Sequence, residues 1–111
     1  MSTRPNVTYP TALVLESLAR GYAYGFDIMD ATGLPSGTIY PLLRRLEGIG
    51  CVEARWESET LAARDGRPAR KYYRITSAGE ELLVRAKIRF AALSKAFRSG
   101  RTRPSEGAPA W

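Results

Sequence analysis

The sequence predicts a small α+β domain that is mostly α-helical and carries one two-stranded antiparallel hairpin. Two blocks of the chain support this prediction. Over residues 37–49, apolar side chains recur at three- and four-residue steps, which places them on one face of a helix. These side chains belong to Ile39, Leu42, Leu46 and Ile49. Over residues 70–75, side chains alternate with the two-residue period of a strand, after a turn that contains Gly66 and Pro68.

Capping and turn signals place two helices before these blocks. Because proline favours a helix start and glycine a helix end, we expect the first helix to open at residue 10 or 11 and to end near Gly21. A short second helix is expected over residues 26–32, with Phe26 and Met29 facing inward. A turn then leads to the third helix.

The middle of the chain is predicted from the same signals. Ser36 is placed to cap the third helix, and Gly50 ends it. A strand with clean alternation is expected over residues 51–58. A loop over residues 60–68 and a returning strand over residues 71–75 complete the hairpin.

The composition limits the classes of function. The 111 residues suffice for one small domain, which leaves much apolar surface uncovered unless it dimerises. The net charge of +6 and the isoelectric point near 9.9 favour a polyanionic partner. Arginine far outnumbers lysine, which suits bidentate contacts to phosphate or guanine. Cys51 is the single cysteine and the sequence has no histidine, so the sequence predicts no internal disulfide, structural zinc site or Cys/His nucleophile. No cofactor is expected.

The chain is expected in the cytoplasm. No apolar run approaches the length that a membrane-spanning segment needs. The first residues, Met-Ser-Thr-Arg-Pro-Asn, are polar and lack the apolar core of a signal peptide.

Residues 37–47 and 66–76 carry a resemblance to a known family. The first block reads GTIYPLLRRLE and is similar to small-Thr-aliphatic-Tyr-Pro-x-Leu-x-Arg-Leu-Glu, a signature of the PadR family of bacterial winged-helix transcriptional regulators. Proline inside the first turns of a helix is otherwise unusual, which makes this block specific. The second block, GRPARKYYRIT, resembles the wing and the following strand of that family. Residues 24–27 depart from the family, since they read Tyr-Gly-Phe-Asp where many members have His-Gly-Tyr-Glu.

The resemblance covers roughly residues 11–97 and implies a winged helix-turn-helix with a two-stranded wing and a C-terminal dimerisation helix. Four segments are expected: a flexible arm (1–9), the DNA-binding domain (10–75), the dimerisation helix (76–98) and a disordered tail (99–111). The implied function is sequence-specific regulation of transcription. A homodimer would bind an inverted-repeat operator in double-stranded DNA and repress its own or a neighbouring gene.

Nine residues on the third helix and the wing are candidates for DNA contact. They are Ser36, Thr38, Tyr40, Arg44, Arg45, Arg64, Arg67, Arg70 and Lys71. Each candidate has an alternative role. Ser36 and Thr38 can cap the helix as well as bind phosphate, and Tyr40 can be half-buried in the core. Arg45 and Glu47 can form salt bridges within the helix or to the wing, and the four wing cations can be an ordinary solvated charge run.

The last helix, capped by Thr76 or Ser77, carries a heptad-like apolar seam. The seam consists of Leu83, Ala86, Phe90, Leu93 and Phe97. It either packs on the first helix of its own chain or pairs across a two-fold axis in a dimer, and we favour the dimer. In short PadR-like regulators planar apolar effectors enter between the paired last helices. The resemblance therefore implies a small aromatic effector at Phe90, although Phe90 and Phe97 can also serve only to fill the seam.

A function of another class is also consistent with the sequence. A winged helix can hold a protein partner instead of DNA, and specific, salt-sensitive binding to duplex DNA would distinguish the two functions. An enzyme is not predicted, because the sequence has no histidine, no convergent carboxylate cluster and no phosphate-binding glycine loop.

Overall fold

The structure, a computed structural model, describes residues 7–91 and 93 of the chain. The helices and strands of this part are α1 (Tyr9–Ala19), α2 (Gly25–Thr32), α3 (Ser36–Gly48), β1 (Val52–Trp56), α4 (Glu59–Arg64), β2 (Lys71–Ile75) and α5 (Ser77–Arg89). The two strands form one antiparallel sheet, so the predicted α+β class with mostly helical content is confirmed. No helix within the described residues is long and apolar enough to cross a membrane.

Helix α1 is the centre of the hydrophobic core. Residues 11–18 are all buried, and the helix packs against α2, α3, α5 and β2. The predicted flexible arm is wrong for residues 7–9. Val7 is buried in the core, and the hydroxyl of Thr8 caps the helix by accepting a hydrogen bond from the Thr11 backbone N–H. The helix itself begins at Tyr9.

Helix α2 turns a different face to the core than the sequence predicts. Ile28 and Ala31 are buried, whereas Phe26 is 63% exposed. The inward placement of Phe26 is therefore wrong, because residues three apart, Ile28 and Ala31, occupy the core side of this short helix. Met29 is partly buried against the core, as predicted.

Helix α3 is capped one residue earlier than predicted. Pro35 has an extended backbone, and its carbonyl oxygen accepts hydrogen bonds from the backbone N–H groups of Thr38 (2.9 Å) and Ile39 (3.0 Å). Ser36 is consequently the first helical residue and not the cap. The predicted capping role of Ser36 is wrong.

The buried face of α3 is carried by Ile39, Leu43 and Leu46. Leu42 is only partly buried and Ile49 is exposed, although the sequence places both on the apolar stripe. The steps from residue 39 to 43 and from 43 to 46 are also four and three residues, so the helical period allows either set. The packing against α1 and α2 selects the second set.

The hairpin between α3 and α5 is antiparallel, with Val52 opposite Ile75 and Trp56 opposite Lys71. The predicted loop between its strands is wrong in part, because residues 59–64 form the short helix α4. Glu59 lies in the first turn of α4 and Arg64 in the last, where their charges complement the helix dipole. The segment that connects the two strands of the wing therefore contains a helix and is not a simple loop.

Helix α5 is joined closely to the start of β1. The hydroxyl of Thr76 accepts a hydrogen bond from the Gly79 backbone N–H at 3.2 Å and donates one to the Gly50 carbonyl oxygen at 2.6 Å. Thr76 is thus the cap, one of the two residues predicted for this role. A Cβ atom at residue 79 would collide with the Cys51 carbonyl oxygen and would lie 2.7 Å from Cγ1 of Ile75.

The apolar seam of the last helix lies in the core of its own chain. Leu83, Ala86 and Leu93 are buried in the same cluster as the α1 side chains. Their assignment to a dimer interface is therefore corrected: these side chains pack on the first helix of the same chain. Phe90 is partly buried beside them, and Phe97 lies outside the described residues. The helix ends at Arg89, earlier than the predicted residue 98, because Phe90 leaves the helical backbone conformation (φ −119°, ψ 80°).

Replacement of Gly79 by alanine should destabilise the fold. The added methyl group must displace the Cys51 backbone or α5, and we expect a loss of about 1–3 kcal/mol in the free energy of unfolding, measured by urea denaturation. Gly48→Ala is the matched control, since nothing lies within 4 Å of a Cβ there and alanine is the better helix former. Equal stability of the two variants would contradict the close packing of α5 on Cys51 and Ile75.

Candidate nucleic-acid interface

The exposed side of α3 carries Tyr40, Arg44 and Glu47, which follow one another at four- and three-residue steps. Two of them adjoin β2: Glu47 faces Lys71, and Tyr40 lines the same cleft as Tyr73. Burial raises the pKa of the Tyr73 hydroxyl, with further contributions from Glu47 and Tyr40 in the same direction and from Arg44 in the opposite one. The exposed face of the third helix and the returning strand of the hairpin therefore form one continuous surface.

Tyr40 is held against the N-terminus of α2. It is 40% exposed, and its ring lies so close to Gly25 that a Cβ there would approach the Tyr40 hydroxyl oxygen and ring to 2.7 Å. Burial of the ring raises the pKa of the Tyr40 hydroxyl. Tyr40 is therefore partly packed against α2, close to the half-buried position given as its alternative, and it also remains accessible on the surface.

A cleft of about 290 Å³ separates the N-terminus of α2 from the hairpin and opens beside Tyr40. Aromatic and cationic side chains from four parts of the chain line this cleft. They include Tyr24, Tyr40, Trp56, Arg70, Lys71 and Tyr73. A surface with this composition suits stacking on sugars or bases together with contacts to phosphate.

Arg70 is oriented by two aromatic residues. Its guanidinium carbon lies 4.6 Å from the centroid of the Tyr24 ring, a cation–π geometry. A hydrogen bond with the Tyr72 side chain raises the pKa of Arg70. The guanidinium is held in the cleft at the base of the wing.

The side chain of Lys71, the first residue of β2, extends towards α3. Its Nζ is 3.9 Å from Oε1 of Glu47, and it lies 5.9 Å from the Trp56 ring centroid and 5.6 Å from that of Tyr73. The Glu47 contact is a salt bridge from α3 to the wing, one of the two pairings that the sequence left open for Glu47. At this distance the pair is weak, so its net contribution to stability is small.

Arg67 is engaged by carboxylates within the wing. Its two terminal nitrogens donate to the two carboxylate oxygens of Glu57 at 2.6 and 2.8 Å, and one of them also donates to Asp65 at 3.3 Å. These hydrogen bonds lower the pKa of Glu57. Sequence reasoning placed Arg67 among the DNA-contacting cations, whereas the structure places its guanidinium on a buried carboxylate.

The other predicted contact residues are spread along α3 and α4. Ser36 is exposed in the first turn of α3, and Thr38 is partly buried two residues later. Arg45 is exposed in the last turn of α3. Arg64 is exposed at the end of α4 and does not line the cleft. Four of the nine candidates therefore meet in the cleft: Tyr40, Arg67, Arg70 and Lys71. Arg44 lies outside the cleft, on the same exposed face of α3 as Tyr40.

Sequence reasoning missed Trp56, Tyr24 and Glu57. Trp56 is 63% exposed and lines the cleft, although its place in the alternation of β1 groups it with the buried Val52. An aromatic residue at the end of a strand opposite a lysine was the available signal. Glu57 follows the strand directly, and only the position of Arg67 after the turn indicates its pairing.

Phe90, the residue predicted to contact an effector, packs against the start of α1. Its ring meets that of Tyr9 edge-on, with centroids 5.3 Å apart, and the Arg89 guanidinium lies 5.4 Å from the Phe90 centroid. These contacts account for a partly buried Phe90 without a bound molecule.

Comparisons with known proteins agree with this architecture. The model of the transcriptional regulator PadR-like family matches residues 14–85. A PadR family transcription regulator from Clostridium difficile superposes with a TM-score of 0.65 at 25% identity, over 79% of this chain and 93% of that one. A PadR-like transcription factor from Bacteroides fragilis gives 0.61 at 28% identity, over 77% and 82%. A padr family transcriptional regulator from Eggerthella lenta gives 0.58 at 28% identity, over 78% and 79%.

No curated protein matches the chain. The family model nevertheless spans well over half of the chain, including α2, α3, the whole hairpin and most of α5. The two sequence blocks that carry the resemblance, residues 37–47 and 66–76, lie within the matched region. The chain belongs to the PadR-like family of transcriptional regulators.

Proposed function

We propose that this regulator binds a specific operator in double-stranded DNA and represses transcription. The observation that carries the proposal is that the exposed face of α3 adjoins the basic start of β2. Lys71 faces Glu47 at 3.9 Å, Arg44 lies one turn before Glu47, and Arg70 lines the cleft beside Lys71. Arginine on an exposed helix face can read base edges in the major groove, and a basic wing beside it can bind the flanking backbone.

Each part of the surface has a role in this proposal. Arg44 contacts a base edge, while Arg70 and Lys71 contact phosphate. Tyr40 and Trp56 pack on sugars beside them. Further contacts to phosphate come from four other candidates on the same helix and at the wing, of which all but the partly buried Thr38 are exposed. These groups are Ser36, Thr38, Arg45 and Arg64.

We further propose a homodimer, since an inverted-repeat operator requires two recognition helices related by a two-fold axis. Val84 and Ile88 are exposed on α5, at 59% and 79%, and present apolar surface beside the buried seam. They replace Leu83, Ala86 and Leu93 as the proposed dimer contacts. A planar aromatic effector near Phe90, between the paired helices, is proposed as the signal for release.

A regulator of this kind is tested first by mapping the DNA that it occupies across its genome. A shared inverted repeat among the bound regions would support the proposal, and binding of the purified protein to that repeat should weaken steeply with salt. Recovery of a protein partner without any specific duplex would favour the alternative, a winged-helix protein-interaction module. The exposed Phe26 beside Met29 and Leu34 is the apolar surface available to such a partner.

Arg44→Ala should weaken specific operator binding by about 1–3 kcal/mol, because it removes a bidentate interaction with a base while the exposed position leaves the fold intact. Fluorescence anisotropy with operator and scrambled duplexes measures this change. Arg89→Ala removes the same charge from the end of α5 and serves as the control. Arg44→Lys, which keeps the charge but not the fork of donors, should lose specificity as well. Unchanged operator affinity in folded Arg44→Ala would rule out the role.

The double variant Arg70→Ala/Lys71→Ala should weaken binding to operator and scrambled duplex alike, because phosphate contacts carry no sequence information. The plot of log affinity against log salt should flatten by about 0.9 for each phosphate that the variant no longer neutralises. The double variant Arg85→Ala/Arg89→Ala removes two charges from α5 and controls for net charge. A weakening confined to the operator, with the salt slope of the wild type, would contradict the phosphate assignment.

Ile88→Glu should dissociate the homodimer. A carboxylate would then lie in the apolar contact of both subunits, where the two like charges also repel. Sedimentation measures the association state, and operator affinity should fall with it although Arg44 and the wing are unchanged. Leu61→Glu, at an exposed leucine of α4, is the control. A dimer of normal stability in Ile88→Glu would place the interface on another surface.

A further inference from the structure

The buried carboxylate of Glu57 connects the two ends of the segment between β1 and β2. The Glu57 side chain is only 1% exposed, and it lies directly after β1, where the chain leaves the sheet. Both of its oxygens are bound by Arg67, whose own side chain is 20% exposed. A buried carboxylate requires such pairing, because an unpaired charge in this position is strongly destabilising.

Glu57 also holds the backbone of Arg70. Its backbone N–H donates to the Arg70 carbonyl oxygen at 2.7 Å, and its side-chain Oε1 accepts from the Arg70 backbone N–H at 3.3 Å. Arg67 in turn is tied to α4, since its backbone N–H donates to the Ala62 carbonyl oxygen at 3.1 Å. The ion pair and these backbone hydrogen bonds together therefore connect the end of β1, helix α4 and the residue that precedes β2.

From these contacts we propose that Glu57 and Arg67 are positioning residues of the DNA interface. Their ion pair sets the backbone at Arg70, and through it the placement of the Arg70 and Lys71 side chains in the cleft. Arg67 does not itself bind phosphate. This inference rests on the proposed function, since it concerns how the wing reaches the duplex.

Glu57→Gln gives a test in which the two roles of Arg67 predict opposite signs. If Arg67 were a direct phosphate ligand, removing the carboxylate that competes for it would leave DNA affinity unchanged or raise it. If the ion pair positions the wing, Glu57→Gln should weaken binding roughly tenfold and flatten the salt slope, because Arg70 and Lys71 no longer reach their phosphates. Glu53→Gln is the matched control, since it removes an exposed carboxylate, paired with Arg74, from the strand that precedes Glu57.

A second prediction of the proposal is non-additivity. Glu57→Gln combined with Arg67→Ala should bind DNA no more weakly than Arg67→Ala alone, because both changes break the same pair. Arg67→Lys keeps the positive charge but cannot bind both carboxylate oxygens in the same fork. It should therefore resemble Arg67→Ala in DNA affinity. A merely structural pair would lower the thermal stability of these variants but not the affinity of the folded protein.

The measurements are anisotropy titrations of the full chain with operator duplex at several salt concentrations, with circular dichroism to verify folding. Two outcomes would overturn the inference. The first is wild-type affinity in Glu57→Gln. The second is near wild-type affinity in Arg67→Lys together with a change of about 0.9 in the salt slope of Arg67→Ala. Arg67→Lys supplies this test alone if Glu57→Gln fails to fold. Absence of duplex binding by the wild type would instead overturn the proposed function, and the inference with it.

Discussion

The burial of α1 on all sides is the constraint on which the other elements depend. Ala12, Val14, Leu15 and Ser17 have no exposed surface, so every neighbouring element must pack around this one helix. The burial extends to a carboxylate: Glu16 is paired with Arg20 at 2.8 Å and faces Lys87 of α5 at 3.5 Å. Since a buried carboxylate is costly unless it is paired, these contacts fix how α5 lies along α1. The same packing turns the exposed side of α3 towards the wing.

The element order was predictable because local signals agreed with the tertiary structure. Thr76 caps α5, and Gly21 and Gly50 follow the ends of α1 and α3 as expected, since these roles depend on a few neighbouring residues. Which side of a helix is buried was less predictable. Leu42 and Leu43 are adjacent and chemically identical, so only the neighbouring helices decide between them. Helix α4 was missed because its six residues carry no apolar period long enough to detect.

For the candidate site, the sequence predicted the elements that line it, the third helix and the hairpin, but not the contacts of each residue. Charge alone marked four cations as one basic group, and the family resemblance placed them on the wing. They are Arg64, Arg67, Arg70 and Lys71. Sequence could not distinguish them further, because the roles differ in partners distant along the chain: Glu57 for Arg67 and Tyr24 for Arg70. The assignment of the buried seam residues to a dimer interface was wrong for a similar reason. An apolar heptad looks the same whether its partner helix belongs to the same chain or to another.

The close approach of Gly25 to Tyr40 has a consequence for how such a regulator can diverge. The Tyr40 phenol can take its position beside the cleft because residue 25 bears only a hydrogen atom. The position of the phenol is therefore set by the N-terminus of α2 as well as by α3. In a protein that reads DNA through this surface, the base preference can be altered by a residue that DNA never reaches, while every side chain in contact with the duplex stays the same.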